Sequence, residues 1–215
     1  MARLIIAVAL CWAALALPIR AEPPADMTPL LAIQKSLAGT TNVQSDFIQE
    51  KTLSMLQRTV VIKGRLTVQQ PDWFSWRVTE PVKYNLILKG AALSQWDETT
   101  GSIQKMSLAG NPVFGVVATQ LRAWFTGQFD SLLKDFDAEI EAQAPALRIA
   151  FIPRAGSFAA KAIRRVTLTF REDGRYLQDM AIDELSGDRT RMTFTNTVLN
   201  ATIDPRAWEV APDVR

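Results

Sequence analysis

Few residues in this chain could make or break bonds. There is no histidine, and the one cysteine, Cys11, lies near the N-terminus. That removes Ser-His-Asp and Cys-His nucleophilic catalysis, histidine acid–base work, and the usual zinc, copper and haem sites. No glycine-rich phosphate loop is present. Carboxylates remain. Glu139 and Glu141 lie two apart, Asp179 and Asp183 lie four apart, and Asp135, Asp137 and Glu139 form a short acidic run. A carboxylate pair could serve a glycosidase, but on polar strand faces these read as solvated edges. The acidic run lacks the rest of a calcium loop. The richer supply is of adaptable apolar groups: Phe47, Phe74, Trp76, Met106, Met180, Met192 and Phe194. Methionine and aromatic side chains accommodate apolar ligands of varied shape. The chemistry they offer is burial.

The elements that must carry these groups follow an export leader. Arg3 precedes an apolar run from Leu4 to Leu17, and Pro18 to Ala21 lead into a polar segment. This pattern is a secretory signal peptide, with cleavage expected after Ala21 and a second small-residue site at Ala14 to Ala16. The run is too short to span a bilayer comfortably. Cys11 follows Leu10 in the middle of the run, which does not fit a lipid-modified cysteine. The expected organisation is a leader over 1–21 and one domain over 22–215. A cysteine-free exported chain rests on its core alone. The chain carries 24 basic and 22 acidic residues, and losing Arg3 and Arg20 balances them. Nothing points to a nucleic-acid partner.

Thr28 and Pro29 open a predicted helix, with Thr28 as its cap, and Leu30, Ile33, Leu37 and Ala38 form one apolar stripe ended by Gly39. Period-two alternation then predicts strands over 46–53 and 59–69, with Gly64 as a bulge or barrel bend. Leu66 and Val68 alternate before Pro71-Asp72, and Phe74, Trp76 and Val78 after it. Strands over 84–88, 93–97 and 103–106 complete a meander, which argues for an antiparallel barrel or half-barrel. Asn111-Pro112 opens a second helix whose stripe is Val113, Val116, Val117, Gln120, Leu121 and Trp124, closed by Gly127. A helical turn over 130–136 follows. Further strands run over 138–142, 146–152, 163–170, 176–184 and 190–198, with Asp173-Gly174 and Gly187-Asp188 at hairpin turns. Residues 203–210 read as a last short strand. The two helices are lid candidates.

The order Phe47-x-Gln49, Gly64-x-Leu66, Pro71-x-x-Phe74-x-Trp76, Pro81 and Asn111-Pro112, with Asp204, Trp208 and Pro212 at the end, resembles the periplasmic outer-membrane lipoprotein carriers (LolA-like). The resemblance runs from about Asp46 to Pro212. It implies a mainly β (α+β) fold: an incomplete, strongly curved antiparallel barrel whose helical lid covers an apolar cavity. It implies a monomeric carrier without a cofactor that shields acyl chains of a lipoprotein or other lipid across the periplasm. An inner-membrane donor complex and an outer-membrane acceptor would be its partners. Alternation assigns Leu66, Phe74, Trp76, Leu86, Leu88, Met180, Met192 and Phe194 to the cavity. The lids would present Leu30, Ile33 and Leu37, and Val113, Val117 and Leu121.

These carriers commonly have arginine immediately before the motif proline, where it is thought to hold the lid. Here the lid-latch position is Gln70, a neutral amide that cannot supply charge-assisted pairing. The segment from Leu121 to Phe136 resembles a divergent carrier-like subgroup associated with other lipids or lipid-like pigments. The alternatives are an exported enzyme acting on lipid or glycan through carboxylates alone, and a structural envelope domain without ligand.

Overall fold

In the computed structural model, residues 26–108, 119–120 and 122–210 are described. The leader and the expected helix start at Asn111-Pro112 lie outside them.

Eleven strands form one antiparallel sheet in the order β6-β5-β4-β3-β2-β1-β11-β10-β9-β8-β7. Chain neighbours are sheet neighbours throughout, and β1 (Asn42–Leu53) closes the circuit on β11 (Arg189–Leu199). The one exception is the step from β6 (Ile103–Ser107) to β7 (Phe136–Ala142), which stand at opposite edges. The described part of the connection between them is largely helical. It contributes helical residues 119–120 and 122–126 (α2) and the short helix Phe129–Leu132 (α3). The N-terminal helix α1 (Thr28–Leu37) precedes the mid-sheet strand β1. Topology alone thus delivers three helical pieces to a sheet that does not close.

The other strands are β2 (Arg58–Gln69), β3 (Trp73–Glu80), β4 (Tyr84–Lys89), β5 (Ala92–Asp97), β8 (Arg148–Pro153), β9 (Ile163–Phe170) and β10 (Leu177–Glu184). Register shifts at Gln44/Asp46, Lys63/Gly64, Ile140/Ala142 and Leu177/Asp179 mark bulges, which sharpen twist and bend. Gly64 shows why. A Cβ there would lie 2.0 Å from the Arg77 carbonyl oxygen and 2.6 Å from Phe47 Cζ. The missing side chain lets the Phe47 ring cross the backbone and stack on Trp76, 3.9 Å between centroids.

Several local expectations are corrected. Thr28 is the first helical residue, and the capping oxygen is Asp26 Oδ1, which accepts from the Thr28 amide at 3.0 Å. Ala38 is exposed, because the helix has ended before it. The turn expected to reach Phe136 stops at Leu132, and Phe136 opens β7 opposite Pro153. The tail is a 3-10 turn, Pro205–Trp208, and not a strand. Pro205 has no amide to give a ladder, and Asp204 caps the turn by accepting from the Arg206 amide at 2.9 Å.

That tail packs on the convex face. Arg77 Nη2 donates to the carbonyls of Arg206, at 2.5 Å, and Glu209, and Asn85 Nδ2 to that of Val210 at 3.2 Å. Trp208 meets Trp73 edge to face at 5.1 Å. Asn85, which the tail contacts, and its outward-facing neighbours Thr67, Ser75, Ile87 and Trp96 are buried.

Candidate binding cavity and lid

The concave face is built from aligned cross-strand rows. Leu66 pairs with Trp76 and Trp76 with Leu86, while Val68, Phe74, Leu88 and Leu93 form the next row. Met192 pairs with Met180, Met180 with Leu168, and Leu168 with Ile149. Phe194 pairs with Phe47. Leu66, Phe74, Leu88, Met180, Met192 and Phe194 are buried in one apolar cluster, and Trp76 and Leu86 are half-buried against it.

Leu30, Ile33 and Leu37 of α1 are buried in the same cluster. Val113, Val117 and Leu121 lie outside the described residues. The described part of the second lid contributes Ala123, Trp124 and Phe125, then Phe129 and Leu132 of α3. Phe125 meets Phe194 edge to face at 5.0 Å, and Phe129 contacts Phe151 at 5.9 Å and Phe170 at 6.0 Å. Phe125 and Phe129 are not in the expected stripe, although they follow Leu121 at steps of four residues, which is helical spacing. Trp124 itself is buried, and its indole N–H has no acceptor among the described residues.

Two turns seat α1. A Cβ on Gly127 would lie 2.8 Å from Leu37 Cβ, and one on Gly174 would lie 2.8 Å from Ile33 Cδ1. Both glycines have positive φ, at +73° and +67°, where side chains are disfavoured.

Gln70 bonds to residues that follow α1 and α2. Its side-chain Nε2 donates to the Thr40 carbonyl at 2.5 Å, and its Oε1 accepts from Gln128 Nε2 at 3.4 Å. Its backbone amide donates to the Thr41 carbonyl at 2.9 Å. A guanidinium does reach this turn, but from the lid: Arg122 Nη1 donates to the Pro71 carbonyl at 3.4 Å. Gln34 Nε2 donates to Asp130 Oδ2 at 3.3 Å, tying α1 to α3. Along this seam runs a cleft of about 520 Å³, lined by Gln34, Gln70, Gln128, Ser131 and Lys134 among others.

The carboxylate pairs lie elsewhere, on the outer face of β7–β11. Arg165 grips Glu139 at 3.0 Å and Glu141 at 2.7 Å. Arg189 holds Asp183 at 2.5 Å, and Thr193 donates to Asp179 at 2.9 Å. Asp137 of the acidic run is paired with Arg154 at 2.9 Å. Burial, reinforced by Asp97, raises the Tyr84 phenol, whose hydroxyl donates to Gln95 Oε1 at 3.1 Å. The Arg206 side chain and amide hold the Asp204 carboxyl below its usual range.

Solved structures share this architecture. An uncharacterised conserved protein from Thermus thermophilus superposes with a TM-score of 0.54 at 9% identity, over 86% of this chain and 93% of that one. The lipoprotein LppX from Mycobacterium tuberculosis gives 0.50 at 16% identity, over 84% and 99%. A LolA superfamily protein from Nitrosomonas europaea is also found, at 0.41 and 9% identity, over 84% and 97%. Among curated proteins, none matches significantly. No helix among the described residues is long and apolar enough to cross a membrane. The family model of the outer membrane lipoprotein carrier protein LolA matches residues 38–211, and with that match over most of its length this chain belongs to the LolA family.

Proposed function

We propose that this chain is a periplasmic carrier that buries the acyl chains of a lipoprotein or other acylated molecule between the inner and outer membranes. Residues 1–21 serve as its export leader and 22–215 as a single carrier domain. It acts by shielding, as a monomer and without a cofactor, receives cargo from an inner-membrane donor and yields it to an outer-membrane acceptor. The observation that carries this reading is the single apolar cluster shared by the concave face and the lid helices. Hiding each methylene from water is worth about 0.8 kcal/mol, so a whole acyl chain is strongly held by non-directional contacts. Leu66, Phe74, Trp76, Leu86, Leu88, Met180, Met192 and Phe194 form its wall, and Leu30, Ile33, Leu37, Val113, Val117 and Leu121 present its lid. Gln70 is the latch. Release requires only that the lid swing away, and neutral amide hydrogen bonds are modest enough to allow it. The Trp124 N–H, without an acceptor among the described residues, is a donor for the carbonyl at the head of an acyl chain.

The carboxylate enzyme is the weaker reading, because its candidate acids are bound by arginine or threonine on the outer face. Mass spectrometry of lipids extracted from the purified protein, with uptake of an apolar fluorescent probe, tests the carrier. Acyl material and saturable uptake are expected, and the absence of both sinks it. Phe74→Glu places a carboxylate in the wall and is expected to abolish uptake; normal uptake would remove β3 from the site.

A further inference from the structure

The two ends of the half-barrel differ in what they show to solvent. Antiparallel order puts the β1–β2, β3–β4, β5–β6, β8–β9 and β10–β11 connections at one end. Each carries or abuts an exposed large apolar residue: Met55 and Leu56, Val82, Ile103, Phe158, and Leu185. The hairpin turns at the other end, β2–β3, β4–β5, β7–β8 and β9–β10, present none.

Four of these side chains stand on neighbouring loops. Met55 is 93% and Leu56 69% exposed, Leu185 51% and Phe158 47%. Their loops are tied together. The Ser54 amide and hydroxyl donate to Asp188 Oδ1 at 2.9 and 3.1 Å, and the hydroxyl to the Ser186 carbonyl at 3.1 Å. The Leu185 amide donates to the Ala162 carbonyl at 2.9 Å, at the end of the loop that carries Phe158. The turn chemistry does not ask for apolar residues. Gln57 sits at a φ of 48°, and such a tip ordinarily takes Gly, Asn or Asp. A hairpin tip anchored at its base and apolar at its summit buries nothing inside the protein.

Charge identifies the occupant. Arg58 and Lys161 stand on or beside these loops, and neither is in an ion pair among the described residues. Two loop acids at this end are engaged by backbone amides: Asp188 accepts from the Ser54 amide, and Glu98, which is exposed, from the Lys83 amide at 2.9 Å. Exposed apolar tips with unpaired cations beside them match the interface of an anionic lipid surface, where apolar groups enter the headgroup boundary and cations meet phosphates. We propose that the end formed by Met55, Leu56, Phe158 and Leu185 docks the protein on anionic membrane surfaces. This goes beyond the carrier reading, since cargo could pass through protein partners alone.

Co-sedimentation with phosphatidylethanolamine–phosphatidylglycerol vesicles and with neutral phosphatidylcholine vesicles tests it. The purified chain, processed as the cell leaves it, is expected to bind the anionic vesicles preferentially and less at high salt. Met55→Asp with Leu56→Asp is expected to weaken binding about tenfold or more. Leu185→Asp should act in the same direction, and Arg58→Glu with Lys161→Glu should remove the preference for anionic lipid. The melting temperature and apolar-probe uptake of these variants should match the parent, which separates docking from cargo burial. Failure of the parent to bind either vesicle, or equal binding by the Met55/Leu56 variant, overturns the proposal. A parent that ignores vesicles but is retained by a protein partner through these side chains assigns these loops to that partner and overturns the proposal equally.

Discussion

The two halves of the sheet treat their concave faces differently. Across β7–β11 the chain fills the space itself: Phe136, Ile149, Phe151, Leu168 and Phe170 have no exposure, and Phe129 of α3 stands among them equally buried. Across β2–β6 the same face includes the large half-buried side chains Trp76, Tyr84 and Met106 with Ile62 and Leu86, whereas the half-buried residues of β7–β10 are the smaller Ala138, Ile140, Ile163 and Ile182. The convex faces are reversed. That of β7–β11 carries a polar groove of about 500 Å³ laced by Arg165 and Arg189 ion pairs, whereas that of β3–β5 is sealed by the tail. A packed half holds the fold together, and an incompletely packed half retains apolar surface to offer a guest. The proposed carrier therefore does not need to soften its whole core to take cargo.

Substitutions that load the two halves unequally test that contrast. Phe151→Ala should cost about 3–5 kcal/mol in denaturant unfolding, with the folded fraction still binding an apolar probe. An equal loss of probe binding would erase the division. Trp76→Ala should cost less stability, roughly 2 kcal/mol because the ring is only half-buried, yet weaken probe affinity about tenfold. Unchanged affinity would move the guest out of the β2–β6 half. Gln70→Ala removes links to Thr40 and Gln128, worth about 1 kcal/mol together. Stopped-flow release of the probe should quicken, and to the same degree at low and high salt, because the lost groups are neutral; a strong salt effect would shift the latch to Arg122.

The smallest expected effect concerns the tail. The Asp204 carboxyl is lowered in the folded chain by its bonds from Arg206. A depressed folded pKa contributes stability above the unfolded value, and loses it as pH falls through the folded one. Loosening of the Trp208 contact with Trp73 should therefore appear only in acid below the ordinary aspartate range, read by tryptophan fluorescence. Loosening nearer neutrality would assign the tail's hold to other groups. Asp204 is fully exposed, so the change is slight.

Much of this architecture is written locally. Alternation with period two decides which face a strand residue takes, so Leu66, Phe74 and Trp76 could be placed on one side without knowing their neighbours. The Gly187-Asp188 turn declares its hairpin by its own conformational needs. The tail misled for the same reason: its alternation reads as a strand, while Pro205 and the Asp204 cap make it a turn.

What the sequence determined alone was therefore the parity of each strand, the meander and the amphipathic stripe of α1. Tertiary structure decided the rest. It set β11 beside β1 and left β6 and β7 as distant edges. It brought Phe129 onto Phe151 and Phe170, filling one half, and left Trp76 and Leu86 half-buried in the other. It directed Gln70 to Thr40 and Gln128, and it lined up five loops so that their apolar tips share one end. Periodicity is a property of a few consecutive residues; whether a face is filled or left open depends on volumes delivered from distant parts of the chain.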